Sequence, residues 1–128
     1  MIIDHLAIWT INLENMKEFY VNYFDGVSNE KYVNEKKGFS SYFISFKNGC
    51  RLELMNSNSL KTGSENALPV TGYSHMAFSL GSKEKVDELT DKLRNNGLTI
   101  ISEPRTTGDG YYESSFLDPD GNLVEITE

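Results

Sequence analysis

The sequence contains one cysteine, Cys50, so no disulfide can form within the chain. Disulfides persist in oxidising compartments, and their absence favours a reducing one. The N-terminus also lacks the basic flank and cleavage site of a signal peptide. Together these absences predict a cytoplasmic protein. Because Cys50 alternates towards the apolar side of its predicted strand, we expect it to fill space in the core.

Long apolar runs and an excess of positive charge are missing too. No stretch approaches the roughly 20 apolar residues that a membrane-spanning helix needs. The net charge is −7 and there is no Lys/Arg cluster, so nucleic acid and anionic membrane surfaces are not expected partners. With 128 residues, 38% of them hydrophobic, residues 1–128 are predicted to form a single domain with its own core.

Histidine is also scarce, and the two histidines present occur in matching contexts. His5-Leu-Ala-Ile resembles His75-Met-Ala-Phe, and the two stretches are 70 positions apart. A second correspondence links Gly49-Cys-Arg-Leu-Glu53 to Gly121-Asn-Leu-Val-Glu125, 72 positions on. The chain therefore contains an internal repeat that carries one His and one Glu in each copy.

Hydrophobic periodicity predicts the same order of elements in both halves, a strand, a helix and three strands. The predicted modules cover residues 1–56 and 72–128, with a polar linker at 57–71. Asn12 and Ser82 are the predicted N-caps of the two helices. The predicted strands of the first half are 1–9, 27–33, 39–46 and 50–55, around a helix over 13–24. Those of the second half are 72–80, 98–102, 111–117 and 123–127, with a flexible loop over 104–110.

The chemistry of the repeat points to a metal. Strand alternation turns the apolar neighbours of both pairs towards the helices and leaves the four polar groups on the opposite face. Two imidazoles and two carboxylates form a sound ligand set for a divalent first-row metal. Taken singly, a strand His is more often a hydrogen-bonded pocket residue, and a strand Glu is more often solvated. The duplication favours the metal site: His5, Glu53, His75 and Glu125.

The paired modules, the two His–Glu sets and the ending Asp118-Pro-Asp-Gly-Asn-Leu-Val-Glu125 resemble the vicinal oxygen chelate superfamily. This family includes glyoxalase I, bleomycin-resistance proteins, fosfomycin-modifying enzymes, methylmalonyl-CoA epimerase and extradiol dioxygenases. The resemblance implies an α+β fold of two repeated βαβββ modules that form an incomplete barrel. It also implies a homodimer whose sites are completed across the interface and which acts on a small-molecule substrate.

The His, Glu, His, Glu pattern is most similar to glyoxalase I. That resemblance implies a metal-dependent isomerase or lyase, similar to a lactoylglutathione lyase, that works through an enediolate. Its metal would be Ni, Zn or Co, with Fe or Mn as further options. Glu125 is the implied catalytic base and Glu53 the assisting carboxylate. Two other functions stay open, a drug-binding protein of the bleomycin-resistance type and a metal-dependent dioxygenase.

Further residues are candidates for substrate binding. By alternation Trp9, Arg51 and Tyr73 lie on the same face as the metal ligands. Arg105 and the glycines of the 104–110 loop are candidates for a lid over an anion. Glyoxalase I commonly has an Arg four residues after its first metal-ligand position, where this chain has Trp9. We therefore expect a substrate other than a glutathione adduct.

Overall fold

A computed structural model describes residues 3–61, 72–108 and 110–128 of the chain. The chain divides into two compact units, Met1–Glu65 and Asn66–Glu128, and the described residues of each form one α-helix and one open sheet. None of the helices in the described ranges is long and apolar enough to cross a membrane. The predicted α+β fold with two βαβββ modules is confirmed.

The first unit runs through β1 and α1 before its remaining strands. Strand β1 pairs in parallel with β5, and β5 pairs antiparallel with β4, which also carries the short strands β2 and β3. The elements are β1 His5–Trp9, α1 Leu13–Phe24, β2 Val27–Ser28, β3 Tyr32–Asn34, a 3-10 helix at Glu35–Lys37, β4 Phe39–Ser45 and β5 Arg51–Ser57.

The second unit repeats this plan. Strand β6 pairs in parallel with β9, and the order across the sheet is β6-β9-β8-β7. The elements are β6 Met76–Ser79, α2 Lys83–Asn95, β7 Ile100–Thr106, β8 Tyr112–Leu117 and β9 Leu123–Thr127. In both units the first and last strands are therefore neighbours, which places residues far apart in sequence side by side.

Both helices begin where the sequence predicts. Helix α1 follows Asn12, whose side chain makes no capping hydrogen bond, and ends at Asp25 in the left-handed conformation with φ 52°. Helix α2 follows Ser82, whose Oγ accepts the backbone N–H of Lys85 at 3.4 Å. That bond satisfies one of the N–H groups left open at a helix start.

Each helix buries its apolar stripe against one face of its own sheet. Helix α1 packs on β4 and β5, and α2 packs on β7, β8 and β9. Among the described residues, the buried hydrophobic side chains of the first unit are Leu13, Met16, Phe19, Tyr20, Tyr42, Ile44, Leu52 and Leu54, and those of the second are Val86, Leu93, Phe116, Val124 and Ile126. Because strand residues alternate, the other face of each sheet carries the remaining side chains.

The predicted strand over 27–33 is interrupted. Asn29 lies between β2 and β3, and its Oδ1 accepts the N–H of Phe43 at 2.7 Å while its own N–H donates to the Phe43 carbonyl at 3.1 Å. A side-chain amide thus takes over one bond of the ladder, a local alternative that Asn offers to the backbone.

Two further predictions were wrong. Strand β7 continues through Pro104, Arg105 and Thr106, where a loop was expected. It is the edge strand of its sheet and carries register shifts between Ile100 and Arg105, a setting that tolerates a residue without an N–H. Cys50 is exposed, not part of the core, because it lies in the β4–β5 connection before the ladder begins. Of the predicted linker, residues 62–71 lie outside the described residues.

Candidate functional site

In the first unit, the pairing of β1 with β5 brings His5 and Glu53 together. Ala7 lies opposite Glu53, and His5 lies opposite Arg51. His5 and Glu53 are therefore diagonal neighbours on the same face of the sheet. The Nε2 atom of His5 is 3.8 Å from the Oε2 atom of Glu53. The imidazole is 40% exposed and the carboxylate 16% exposed, so the pair is open to a ligand on the side away from α1.

The second unit contains the equivalent pair. Ala77 lies opposite Glu125. His75 is two residues before Ala77 and comes just before β6 begins. The Nε2 atom of His75 is 3.1 Å from the Oε2 atom of Glu125. The internal repeat seen in the sequence is therefore a repeat of geometry: in each unit an imidazole nitrogen at the start of the first strand faces a carboxylate oxygen on the last strand.

The second ring nitrogen of each histidine has a different partner. His5 Nδ1 is 2.8 Å from Asp4 Oδ2, which also accepts a hydrogen bond from Arg51 Nη2 at 2.5 Å. The hydrogen bond from His5, followed by that from Arg51, lowers the pKa of the Asp4 carboxyl. His75 Nδ1 has a neutral neighbour instead, the Ser74 hydroxyl at 3.2 Å. In both cases Nδ1 is engaged and Nε2 points to the glutamate.

These pairs suit a divalent metal. Two donors bound at about 2.0–2.2 Å to one ion lie roughly 3.0–3.5 Å apart, close to the separations of 3.1 and 3.8 Å. An ordinary His–Glu ion pair has the same spacing, so the distances fit a metal without requiring one. Within either unit, the described residues contain no group of three or more His, Cys, Asp or Glu side chains able to hold an ion. Each unit supplies half of the predicted ligand set.

The predicted substrate-binding residues are divided between the two units, with Trp9 and Arg51 in the first and Tyr73 and Arg105 in the second. Trp9 lies on the His5 face of β1 and is 51% exposed. Arg51 lies over the Phe43 ring at 4.4 Å and bonds to Asp4, so its charge already has a partner. Tyr73 is 95% exposed in the segment before β6. Arg105 lies on β7 and donates from Nε to Ser102 Oγ at 3.1 Å, so the structure places it on a strand and not on a lid.

Two neighbours of the first pair were missed from the sequence. Phe43 lies opposite Glu53, and its ring makes an edge contact with His5 at 5.4 Å. Only the register of β4 against β5 identifies it, and a single strand does not encode that register. Asp4 carried a usable signal, because metal-binding histidines commonly donate their second ring N–H to a carboxylate.

Comparison with known proteins identifies the family of this chain. The family model of the Glyoxalase/Bleomycin resistance protein/Dioxygenase superfamily matches residues 2–126. An uncharacterized Bacillus subtilis protein, YqjT, is 38% identical over 58 residues, and this match covers 43% of this chain and 45% of that protein. The aligned part thus spans less than half of that relative's length.

Solved structures show the same fold. A glyoxalase family protein from Enterococcus faecalis is 24% identical with a TM-score of 0.78, covering 98% of this chain and 96% of that one. The trypanothione-dependent glyoxalase I of Leishmania major is 20% identical with a TM-score of 0.76, covering 97% and 84%. With the family model matching nearly the whole chain and the two equivalent modules in place, the chain belongs to the Glyoxalase/Bleomycin resistance protein/Dioxygenase superfamily.

Proposed function

We propose that the protein is a metal-dependent isomerase or lyase that moves a proton between neighbouring carbons of a small oxygenated substrate. One observation carries this proposal: the His Nε2 to Glu Oε2 pair occurs at the equivalent place in both units, at 3.8 and 3.1 Å. A single pair is an ordinary surface contact. Two copies on the faces turned away from the helices support a shared chemical role.

The proposed ligands are His5, Glu53, His75 and Glu125. Their donor chemistry suits Ni, Zn or Co, with Fe and Mn as further options. When bound, such an ion supplies Lewis acidity that polarises a substrate carbonyl or hydroxyl. The engaged Nδ1 atoms of His5 and His75 keep each Nε2 directed to the glutamate of its own unit, an arrangement typical of metal-binding histidines.

Glu125 is the proposed base. Its carboxylate lies on β9, 22% exposed, beside the His75 ring, and is therefore partly shielded yet within reach of a substrate. In this proposal it removes a proton from the carbon next to the carbonyl and returns it one carbon away. Glu53, 16% exposed on β5, is the assisting carboxylate in this proposal.

We further propose that two chains complete each site, with His5 and Glu53 from one chain and His75 and Glu125 from its partner. The support is that each unit provides only two of the four donors. If sedimentation velocity at micromolar concentration shows only a species of monomer mass, this arrangement is contradicted. The dimer, the cytoplasmic location and the single domain over 1–128 stay predictions.

Metal analysis of protein purified without a His tag is the first test. We expect Ni, Co or Zn near one ion per chain, followed by turnover in a screen of dicarbonyl–thiol adducts. Glu125→Gln should lower kcat by about 10²–10⁴, while Glu88→Gln, on an exposed position of α2, should leave it unchanged. Turnover that survives Glu125→Gln excludes this base.

The same preparation discriminates the alternatives. Protein with no metal that still binds a hydrophobic drug in equilibrium dialysis is a binding protein of the bleomycin-resistance type. Protein that retains iron and consumes oxygen with a catechol is a dioxygenase. Either result replaces the isomerase proposal.

A further inference from the structure

Three aromatic side chains meet at one end of the first sheet. Trp9 ends β1, Tyr32 begins β3 and Phe39 begins β4. The Trp9 and Phe39 rings are 6.2 Å apart at 87°, and the Tyr32 and Phe39 rings are 6.1 Å apart at 59°. We refer to these three residues as the aromatic cluster.

The aromatic cluster lies on the same face as the His5–Glu53 pair. Along β1 the side chains of His5, Ala7 and Trp9 share one face, and Ala7 is the residue opposite Glu53. Trp9 lies opposite Met55, two residues beyond Glu53. Two residues of strand correspond to roughly 7 Å, so the cluster begins about that far from the glutamate.

The register of the other strands agrees. Ser41 pairs with both Met55 and Tyr32, and Phe39 pairs with both Ser57 and Asn34. Directly paired residues share a face of the sheet, which places Tyr32 and Phe39 on the face that carries Trp9. The opposite face is the one that packs on α1 through Tyr42 and Ile44.

The cluster is not explained by the core of this unit. Trp9 is 51% exposed and Tyr32 is 52% exposed, although each ring has a large apolar area that burial would stabilise. Contiguous exposed apolar surface of this kind marks a binding site more often than isolated exposed residues do. The Trp9–Phe39 contact is edge-on at 87° and the Tyr32–Phe39 contact is tilted at 59°, so the rings are not stacked face to face, and the exposed parts of Trp9 and Tyr32 are accessible to a further aromatic group.

We propose that the aromatic cluster binds an aryl group of the substrate, while neighbouring oxygens of the same molecule are held at the His5–Glu53 pair. The inference rests on the proposed function and narrows its substrate class to aryl or arylalkyl hydroxy-carbonyl compounds. The ring and the oxygen-bearing carbons are separated by roughly 7 Å, the spacing of two strand residues. The −7 charge of the chain also favours a neutral substrate over an anionic one.

Trp9 is the only tryptophan of the chain, so its fluorescence reports directly on the cluster. The probes are 3-phenylpropionohydroxamate and acetohydroxamate, which offer the same two oxygens with and without a ring. With Ni- or Co-loaded protein, we expect the phenyl probe to bind about tenfold or more tightly than the methyl probe, the effect of one or two aromatic contacts. Its binding should also shift the emission to shorter wavelength and reduce quenching by acrylamide.

Variants locate the effect. Trp9→Leu should reduce the preference for the phenyl probe to about threefold or less while metal content stays unchanged, and Tyr32→Leu is the second variant of the cluster. Tyr23→Leu is the matched control, because Tyr23 is an aromatic residue of the same unit on α1, in contact with Phe19. The control should keep the full preference.

A metal-free arm separates this inference from the proposed function. 3-Phenylpropionamide, which has the ring but not the chelating oxygens, is titrated into metal-free protein and should still shift Trp9 emission at millimolar concentration. If the protein takes up no metal, the proposed function is contradicted but the aromatic cluster is not. The titration with 3-phenylpropionamide then shows whether the cluster binds an aryl group. Equal affinity for the phenyl and methyl probes, no response to the amide, or Trp9 emission already shielded in a ligand-free dimer overturns the inference. The last result assigns the cluster to a second copy of the chain.

Discussion

The Nε2 atom of His75, the residue before β6, lies 3.1 Å from the Oε2 atom of Glu125 on β9, the parallel partner of β6. The corresponding atoms of His5 and Glu53 are 3.8 Å apart across β1 and β5. The two pairs differ in support, because Asp4 bonds to His5 whereas Ser74 bonds to His75. Because the two histidines have different hydrogen-bond partners, substitutions at these pairs are expected to change metal affinity and stability to different extents.

Replacement of His75 by Ala should abolish metal binding and leave the fold intact. The side chain is 38% exposed and lies outside the buried core, so little packing is lost. Metal content by mass spectrometry and the thermal midpoint measure the two effects. Ser79→Ala, at an exposed position of β6, should change neither. Full metal occupancy in His75→Ala would show that the ligand set is wrong.

Asp4 should act as a positioning residue for His5. Asp4→Asn replaces the carboxylate that holds Nδ1 at 2.8 Å, and loss of such a partner weakens metal binding by about 10–100-fold. Competition with a chelator gives the affinity. Ser74→Ala is the matched control in the second unit and should have a smaller effect, because a hydroxyl at 3.2 Å orients its ring less strongly. Equal losses in the two variants contradict this role for Asp4.

The metal-loaded protein should isomerise the methylglyoxal–glutathione hemithioacetal poorly. A charged tripeptide is best held by a bidentate Arg, and Trp9 stands where that Arg is expected. Loss of one such contact costs about 1.5–3 kcal/mol, or about tenfold to a hundredfold in affinity. The thioester absorbance assay with Ni, Co and Zn forms measures turnover. A kcat/KM of about 10⁴ M⁻¹s⁻¹ or more contradicts the prediction.

Glu14 should contribute to stability in a pH-dependent way. It accepts hydrogen bonds from Lys31 at 2.9 Å, Lys17 at 3.1 Å and Tyr42 at 3.0 Å. The bond from Lys31, with those from Lys17 and Tyr42, lowers the pKa of its carboxyl from 4.5 to about 2. A lowered folded-state pKa gives stability that is complete above pH about 4.5 and is lost as the pH falls towards about 2.

Urea titration of Glu14→Gln tests this. Because the Glu14 side chain is 52% exposed, solvent screening limits the loss in unfolding free energy to about 1 kcal/mol or less near neutral pH. The difference in unfolding free energy between Glu14→Gln and the unaltered protein should decrease steadily below pH 4.5. Glu18→Gln, an exposed position on the same helix, is the control. A difference in unfolding free energy that does not change with pH would show that the effect comes from packing and not from the Glu14 charge.

Gly26 should tolerate no side chain. A Cβ added there would lie 2.4 Å from Ile44 Cγ2 and 3.0 Å from the Tyr20 carbonyl oxygen, within the closely packed core under α1. Gly26→Ala should reduce the unfolding free energy by about 1–3 kcal/mol. Gly108→Ala meets no atom within 4 Å and should stay within about 0.5 kcal/mol. Equal midpoints for the two variants contradict the clash.

Local periodicity was sufficient for much of the fold. The predicted helix over 13–24 agrees with α1 Leu13–Phe24, and Ser82 caps α2 as expected. These features depend on residues within a few positions of each other, where spacing and capping chemistry act directly. The internal repeat likewise indicated both His–Glu pairs, because each copy carries its own histidine and glutamate.

Features that depend on neighbouring strands were not predictable. Pro104 continues β7 because that strand lies at an edge, and Cys50 is exposed because the β5 ladder begins one residue later. Phe43 reaches His5, and Tyr32 and Phe39 join Trp9, only through the register of β3, β4 and β5. Strand alternation divides side chains between two faces, but register sets which distant residues share a face. The sequence alone thus determined the elements and the repeated pairs, and the tertiary structure decided what surrounds the first pair.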